Sequence, residues 1–310
     1  MLGFTGRELS SAVELMMQEM MPMIYLDTFV LPSETAEDSF FFRIKETCYD
    51  VCYPFDIFRR RQMPPLSFAP VTFLCGGNGS GKSTLLNVIA GKLGIRRGAA
   101  YNRSNFFGQY VEMCDYDLDR RAQGIPEGSR IITSDDVFDF LLNLRSLNEG
   151  VDLAREEMFQ TYRRQHRRDD FRLRSMEDYE ELREIVDARR MTKSKFVRSR
   201  LEANVRERSN GESALMFFTD AVKEDALYLL DEPENSLSPR LQLELRQYLM
   251  DAARFYRCQL IVATHSPFLL SMPQARIYDL DQTPPRPVRW IELDHVRAYR
   301  DFFREHEAEF

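Results

Sequence analysis

Three stretches of the chain carry residue types whose order suits the handling of a phosphate, a metal ion and a water molecule. The first is Gly76-Gly77-Asn78-Gly79-Ser80-Gly81-Lys82-Ser83-Thr84, a GxxxxGKS pattern. Glycines there let backbone N–H groups turn inward around a phosphate, where a side chain would clash or forbid the φ angles. Lys82 is placed to reach β- and γ-phosphate oxygens, and Ser83 to offer its hydroxyl to Mg²⁺. The pattern nominates Gly76, Asn78, Gly79, Ser80, Gly81, Lys82, Ser83 and Thr84 as the nucleotide cradle, with a nucleotide's phosphates and Mg²⁺ as the expected ligands. The second stretch is an apolar run, Ala226 to Leu230, that delivers Asp231 and Glu232. Asp231 suits a Mg²⁺-holding role and Glu232 the polarisation of an attacking water. A strand that merely ends in solvated acids reads the same way, and the phosphate loop upstream decides for the catalytic reading. The third, Gln259 to Thr264, presents His265 at its carboxyl end, where ligands gather in open α/β sheets and a γ-phosphate is within reach.

These residues need elements to hold them. Val71-Thr72-Phe73-Leu74-Cys75 reads as a buried strand running into the loop, and Leu85 to Leu93 as the helix leaving it. The helix start adds partial positive charge at the anion. Met23 to Leu31 and Ser39 to Lys45 mix β-branched and aromatic residues and read as antiparallel edge strands. Between Ile125 and Arg208 strand-like alternation gives way to helical stretches, Val137 to Leu147, Asp152 to Arg164 and Ser175 to Arg190. The expected class is α/β, with a mostly parallel central sheet, antiparallel N-terminal edge strands and an enlarged helical insertion. Residues 1–22 form an extension, 23–124 and 209–310 the two parts of one core, and 125–208 the insertion.

Together the motifs resemble the ATP-binding-cassette class of P-loop ATPases, and more narrowly the small standalone bacterial ATPases related to the SMC, RecF and double-strand-break-repair group. The likeness rests on Gly76 to Thr84, Ser209-Asn210-Gly211-Glu212-Ser213, Leu227 to Pro239 and Ala263 to Pro267. Gly77 and Asn210 depart from the Glu and His usual in that group. The resemblance implies that Ser209, Gly211 and Glu212 cap the γ-phosphate of a second subunit, in an ATP-dependent head-to-tail homodimer. It also implies that Glu234 to Ser238 cross the dimer interface. A Gln sensing γ-phosphate and Mg²⁺ is expected after the first helix. Gln109 is the candidate, with Gln123 as the alternative and a plain surface Gln as the bland reading. Tyr53, Phe55 and Phe58 are candidates for stacking on adenine or, equally, for the core. The function so implied is a Mg²⁺-dependent ATP hydrolase working as a dimerisation switch in DNA-related maintenance or anti-phage defence. The alternative is the nucleotide-binding subunit of a membrane transporter.

Composition bounds the rest. With 310 residues, 44% hydrophobic and 29% charged, the chain can bury a large core, which excludes wholesale disorder. Five scattered cysteines, an odd number, argue for free thiols in a reducing compartment, and with no recognisable secretion signal the cytoplasm is the expected location. Charged residues interrupt the most apolar N-terminal region, so no direct membrane insertion is expected. The net charge is −7, yet residues 161–210 hold 15 Lys and Arg against 10 Asp and Glu. The dense part, Arg163, Arg164, His166, Arg167, Arg168, Arg172 and Arg174, is a candidate nucleic-acid grip, or a solvated helix face paired with nearby acids. An effector protein is the other candidate partner.

Overall fold

The strands that carry the candidate residues are mostly apolar, with Thr72 and Gln259 buried among them, because both faces of their sheet are covered. A computed structural model describes residues 22–45, 48–49, 51–167, 179–201 and 209–310. Two compact units emerge: one takes in the described residues up to Val137 and from Asn210 to Phe310, the other Phe138–Ser209.

In the first unit β1 (Leu26–Val30) leads to helix α1 (Glu34–Arg43), then β2 (Leu66–Ser67), β3 (Val71–Cys75), α2 (Lys82–Leu93), β4 (Arg96–Arg97), α3 (Phe107–Glu112), β5 (Asp115–Leu118) and β6 (Arg130–Thr133). The helix α4 (Ser134–His166) starts here and continues into the second unit. That unit adds α5 (Tyr179–Arg190) and α6 (Lys193–Arg198). The chain then returns to the first unit with α7 (Asn210–Ala221), β7 (Leu227–Asp231), α8 (Pro239–Phe255), β8 (Gln259–Ala263), α9 (Pro267–Leu270), β9 (Arg276–Asp279), β10 (Arg286–Pro287) and α10 (Asp294–Glu305).

Seven strands form the main sheet in the order β10-β9-β3-β8-β7-β6-β4. All neighbours pair in parallel except the β9–β10 pair. Every residue of β3 and β8 is buried. The α/β class with a mostly parallel central sheet is therefore as expected. A separate antiparallel sheet, β2-β1-β5, accompanies it. Gln259 ties the two sheets together. Its buried Oε1 accepts from the N–H groups of Tyr25 and Leu26, each at 2.8 Å, and its Nε2 donates to the Leu26 carbonyl at 2.8 Å.

One local expectation fails. Ser39 to Lys45 is not a strand, since α1 runs through Arg43. Ser33 caps its start, accepting from Ala36 N–H at 3.3 Å, and Glu34 and Glu37 lie in the positively polarised first turn. The Phe-rich run serves helix packing instead: Phe40 stacks on Phe55 with ring centroids 4.5 Å apart, while Phe42 faces solvent.

The second unit is helical. α4 spans 33 residues without interruption, joining the two helices expected over Val137 to Leu147 and Asp152 to Arg164. Its small core gathers Ala188, Phe196 and Val197 with Met158, Phe159, Tyr162, Met191 and Leu201. Arg200 lies over the Phe196 ring at 3.8 Å and pairs with Asp187 at 2.9 Å. Arg163, Arg164 and Arg167 are exposed, whereas Arg168, Arg172 and Arg174 lie outside the described residues, as do residues 1–21 of the N-terminal extension. Among the described residues no helix is long and apolar enough to cross a membrane.

Candidate functional site

Parallel register sets the site. Leu74 pairs with Ala263, and Ala263 with Asp231, so β3, β8 and β7 end side by side and release their following residues at one edge of the sheet. Gly76 to Thr84 follows β3, Glu232 follows β7, and Thr264 and His265 follow β8. Ligands gather at this edge in open α/β sheets.

The phosphate loop closes onto α2 through Gly81, whose φ of +94° suits glycine. A side chain there would also collide, since an added Cβ would lie 2.9 Å from Phe58 Cε1 and 3.1 Å from Ile57 Cγ2. No side chain caps the start of α2, which leaves the first-turn N–H groups facing an anion site. The Lys82 ammonium is buried and donates to the carbonyls of Gly76 at 2.9 Å and Gly77 at 3.2 Å. Gly77 N–H donates in turn to Asp281 Oδ2 at 2.6 Å. Ser80 and Thr84 are buried, and Ser80 Oγ has no hydrogen-bond partner among the described residues; Asn78 and Gly79 are exposed.

Across the edge, Ser83 Oγ donates to Asp231 Oδ1 at 3.0 Å. Burial pushes the Asp231 carboxyl up to about 6, with Glu232 adding to the rise while the Ser83 bond, Lys82 and Arg97 oppose it. A hydroxyl and a half-buried carboxylate are hard oxygen donors of the kind Mg²⁺ takes, and a cation would relieve the cost of ionising Asp231. Among the described residues no cluster of three His, Cys, Asp or Glu could hold a metal by itself.

Glu232 has a left-handed backbone, φ +49°, fixed by its N–H bond to the Ala263 carbonyl at 2.9 Å and by Asn235 Nδ2 donating to its Oε2 at 3.0 Å. Strain of this kind concentrates at functional positions. His265 Nε2 stands 3.7 Å from Glu232 Oε1, beyond hydrogen-bonding distance, and is buried without a partner among the described residues. Behind it lies His295 of α10, the two rings 6.3 Å apart and nearly perpendicular. Burial first, then the neighbouring His265, hold the His295 imidazole below its ordinary value. A cleft of about 840 Å³ opens beside Glu232 and His265, lined on its far side by Trp290, Tyr299 and Phe303.

The start of α7 is equally constrained. Gly211 is buried, and an added Cβ would lie 2.7 Å from Leu241 Cδ1 and 3.1 Å from the Ser236 carbonyl oxygen. Ser209 and Glu212 beside it are exposed.

Comparison with known proteins supplies a family. A family model described as "AAA domain, putative AbiEii toxin, Type IV TA system" matches residues 116–271, just over half of the chain. The chain belongs to this AAA-domain family. No curated protein matches it. Among solved structures, the dimeric post-hydrolysis state of the ATP-binding cassette MJ0796 bound to ADP and Pi is 14% identical over 73% of this chain and 88% of that one, with a TM-score of 0.37. A nucleotide-free ATP-binding cassette from an ABC transporter is 14% identical over 74% and 85%, with a TM-score of 0.36. Scores this low carry no functional argument.

The stretch matched by the AAA-domain family includes Asp231, Glu232 and His265, and the phosphate loop precedes it. Gln109 sits exposed on α3. With its amide turned so that the nitrogen faces the carbonyls, it donates to Asn105 O at 3.0 Å and Phe106 O at 3.2 Å, and no hydrogen bond joins it to Ser83 or Asp231. The backbone beside Asp231 on its other flank is Thr133 of β6, whose N–H and hydroxyl both donate to Asp136 Oδ2 at 2.8 Å. Gln123 is exposed as well. Phe55 and Phe58 belong to the buried core and Tyr53 packs against it, stacking on Phe107. Sequence reasoning passed over Asp281, His295 and Thr133 because no motif marks them, whereas Glu234 was visible as part of the loop following Asp231.

Proposed function

We propose that this AAA-domain protein is an ATP-binding-cassette-type ATPase that binds and hydrolyses ATP with Mg²⁺. The observation that carries the reading is the meeting of Ser83 and Asp231 at 3.0 Å beside the buried Lys82, from opposite halves of the sequence. In this reading the loop N–H groups and Lys82 bind the β- and γ-phosphates, and Ser83 and Asp231 hold the metal. Mg²⁺, when bound, supplies positive charge against that developing on the phosphate oxygens. Glu232 accepts a proton from the attacking water, and His265 directs Nε2 at the γ-phosphate. The terminal P–O bond breaks as the water oxygen bonds phosphorus, giving ADP and phosphate.

The start of α7, with Ser209, Gly211 and Glu212, serves the γ-phosphate of a second copy, so that ATP closes a head-to-tail homodimer and hydrolysis opens it. The helical unit of residues 138–209 passes that change to a client, a nucleic acid or an effector protein. The exposed Arg163, Arg164 and Arg167 support the nucleic acid. We set the switch in genome maintenance or anti-phage defence, and the family description, which names a toxin system, supports the second setting. Lys82→Ala tests the core of the reading. It should weaken ATP binding at least tenfold and abolish phosphate release, the loss expected when a buried charge facing a phosphate is removed. ATP affinity equal to that of the wild type would refute it.

A further inference from the structure

Glu234 lies three residues past Asp231, and its carboxylate turns back toward the sheet. A single oxygen, Oε1, accepts from Thr264 Oγ1 at 2.6 Å, from His265 N–H at 2.7 Å and from Ser266 N–H at 3.1 Å. Bonds to an ionised carboxylate are about twice as strong as neutral ones, so this oxygen grips the whole turn that carries the imidazole. The grip is reinforced on both sides. Ser266 Oγ donates to Gln242 Oε1 at 2.7 Å, and Gln242 Nε2 donates to the Leu237 carbonyl at 2.9 Å, which closes a ring of bonds between the loop after β7 and the turn after β8.

The His265 ring returns nothing to this scaffold. Its Nε2 has no hydrogen-bond partner among the described residues, and Glu232 Oε1 stands off at 3.7 Å. Apart from the edge contact with His295, the ring takes its position from the backbone from which it projects, and that backbone is held by Glu234. The other carboxylate oxygen, Oε2, is buried with no partner among the described residues.

We propose that Glu234 is the positioning residue for His265. Its carboxylate fixes the 264–266 turn so that the imidazole addresses the γ-phosphate, without itself touching the nucleotide. This rests on the reading of His265 given above.

The test is a mutant cycle on ATP turnover, read together with the histidine ring signals of the ¹⁵N-labelled protein. Glu234→Ala should lower kcat about tenfold or more, the order expected of one displaced catalytic group, with KM for ATP changed less than about threefold. In a His265→Ala background the same change should cost almost nothing further, because its only target is gone. Glu234→Gln keeps an acceptor at Oε1 and should recover most of the turnover. Glu234→Asp keeps the charge but withdraws the oxygen, and should behave like Ala if Ala proves too unstable to assay. The His265 ring signal should broaden or shift in Ala and Asp and hold in Gln. Losses that add in the double mutant, or an unaltered ring signal in Glu234→Ala and Glu234→Asp, would overturn the proposal. Wild-type turnover in His265→Ala would refute the role of His265 in hydrolysis, and the ring signal would then decide the Glu234 grip by itself.

Discussion

Ser83 and Asp231 lie 148 positions apart in the chain, yet the serine hydroxyl donates to the aspartate carboxylate at 3.0 Å. Neither residue reaches for the other. Ser83 is held by the first turn of α2, Asp231 by the last position of β7, and β8 lies between their strands in parallel register with both. The contact is thus a product of sheet topology, and it fixes where a metal ion would sit relative to the phosphate loop.

Asp231 should make the nucleotide-free protein's stability depend on pH. Burial raises its carboxyl in the fold to about 6 from an ordinary 3.8. A group whose folded value is raised contributes stability that is complete below about pH 4 and is lost as pH rises through about 6. Asp231→Asn escapes that loss. Its advantage over the wild type should open between pH 4 and 6 and level off above, reaching about 1 to 3 kcal/mol at roughly 1.4 kcal/mol per pKa unit. Urea unfolding at a series of pH values without Mg²⁺ measures it, and a constant difference across the series would contradict the assignment.

Gln259 should matter more to the fold than any surface polar residue. Its amide satisfies two backbone N–H groups and one carbonyl at the start of β1. Gln259→Leu keeps much of the volume and strands those groups in the core. The expected loss is about 2 to 5 kcal/mol. Denaturant titration checks it, and a loss under about 0.5 kcal/mol, the range of surface substitutions, would show that water or relaxation replaces the bonds.

In the proposed dimer, Gly211 should separate binding from assembly. Gly211→Val would force a side chain against Leu241 and the Ser236 carbonyl, displacing the start of α7 while leaving the phosphate loop untouched. ATP affinity should stay within about twofold of the wild type, while ATP-dependent self-association is lost. Calorimetry with a slowly hydrolysed ATP analogue and sedimentation velocity read the two separately. Unimpaired association would remove α7 from the interface.

Much of this arrangement was legible because its strands are buried on both faces. Val71–Cys75, Leu227–Asp231 and Gln259–Ala263 are mostly apolar, and each leads into candidate site residues, so pattern and position agree. The Phe-rich stretch before Lys45 misled, since its aromatics favour a strand while Ser33 and two early glutamates favour a helix, and the cap won. The long α4 hid behind Gly150, which suggests a break but sits in a continuous helix with nothing near its missing Cβ. The placements of Asp281, His295 and Thr133 were beyond reach, because each arises from register or from packing between residues far apart in the chain.

The central claim is that ATP is held jointly by two copies, and Glu232→Gln tests it most directly. The amide keeps the shape of the side chain but cannot take the proton from water, so ATP should persist and the closed form should accumulate. Light scattering after gel filtration with ATP and Mg²⁺ should give twice the 36.5 kDa chain mass, returning to the single chain when nucleotide is removed. A monomer that carries bound ATP under those conditions would contradict the account.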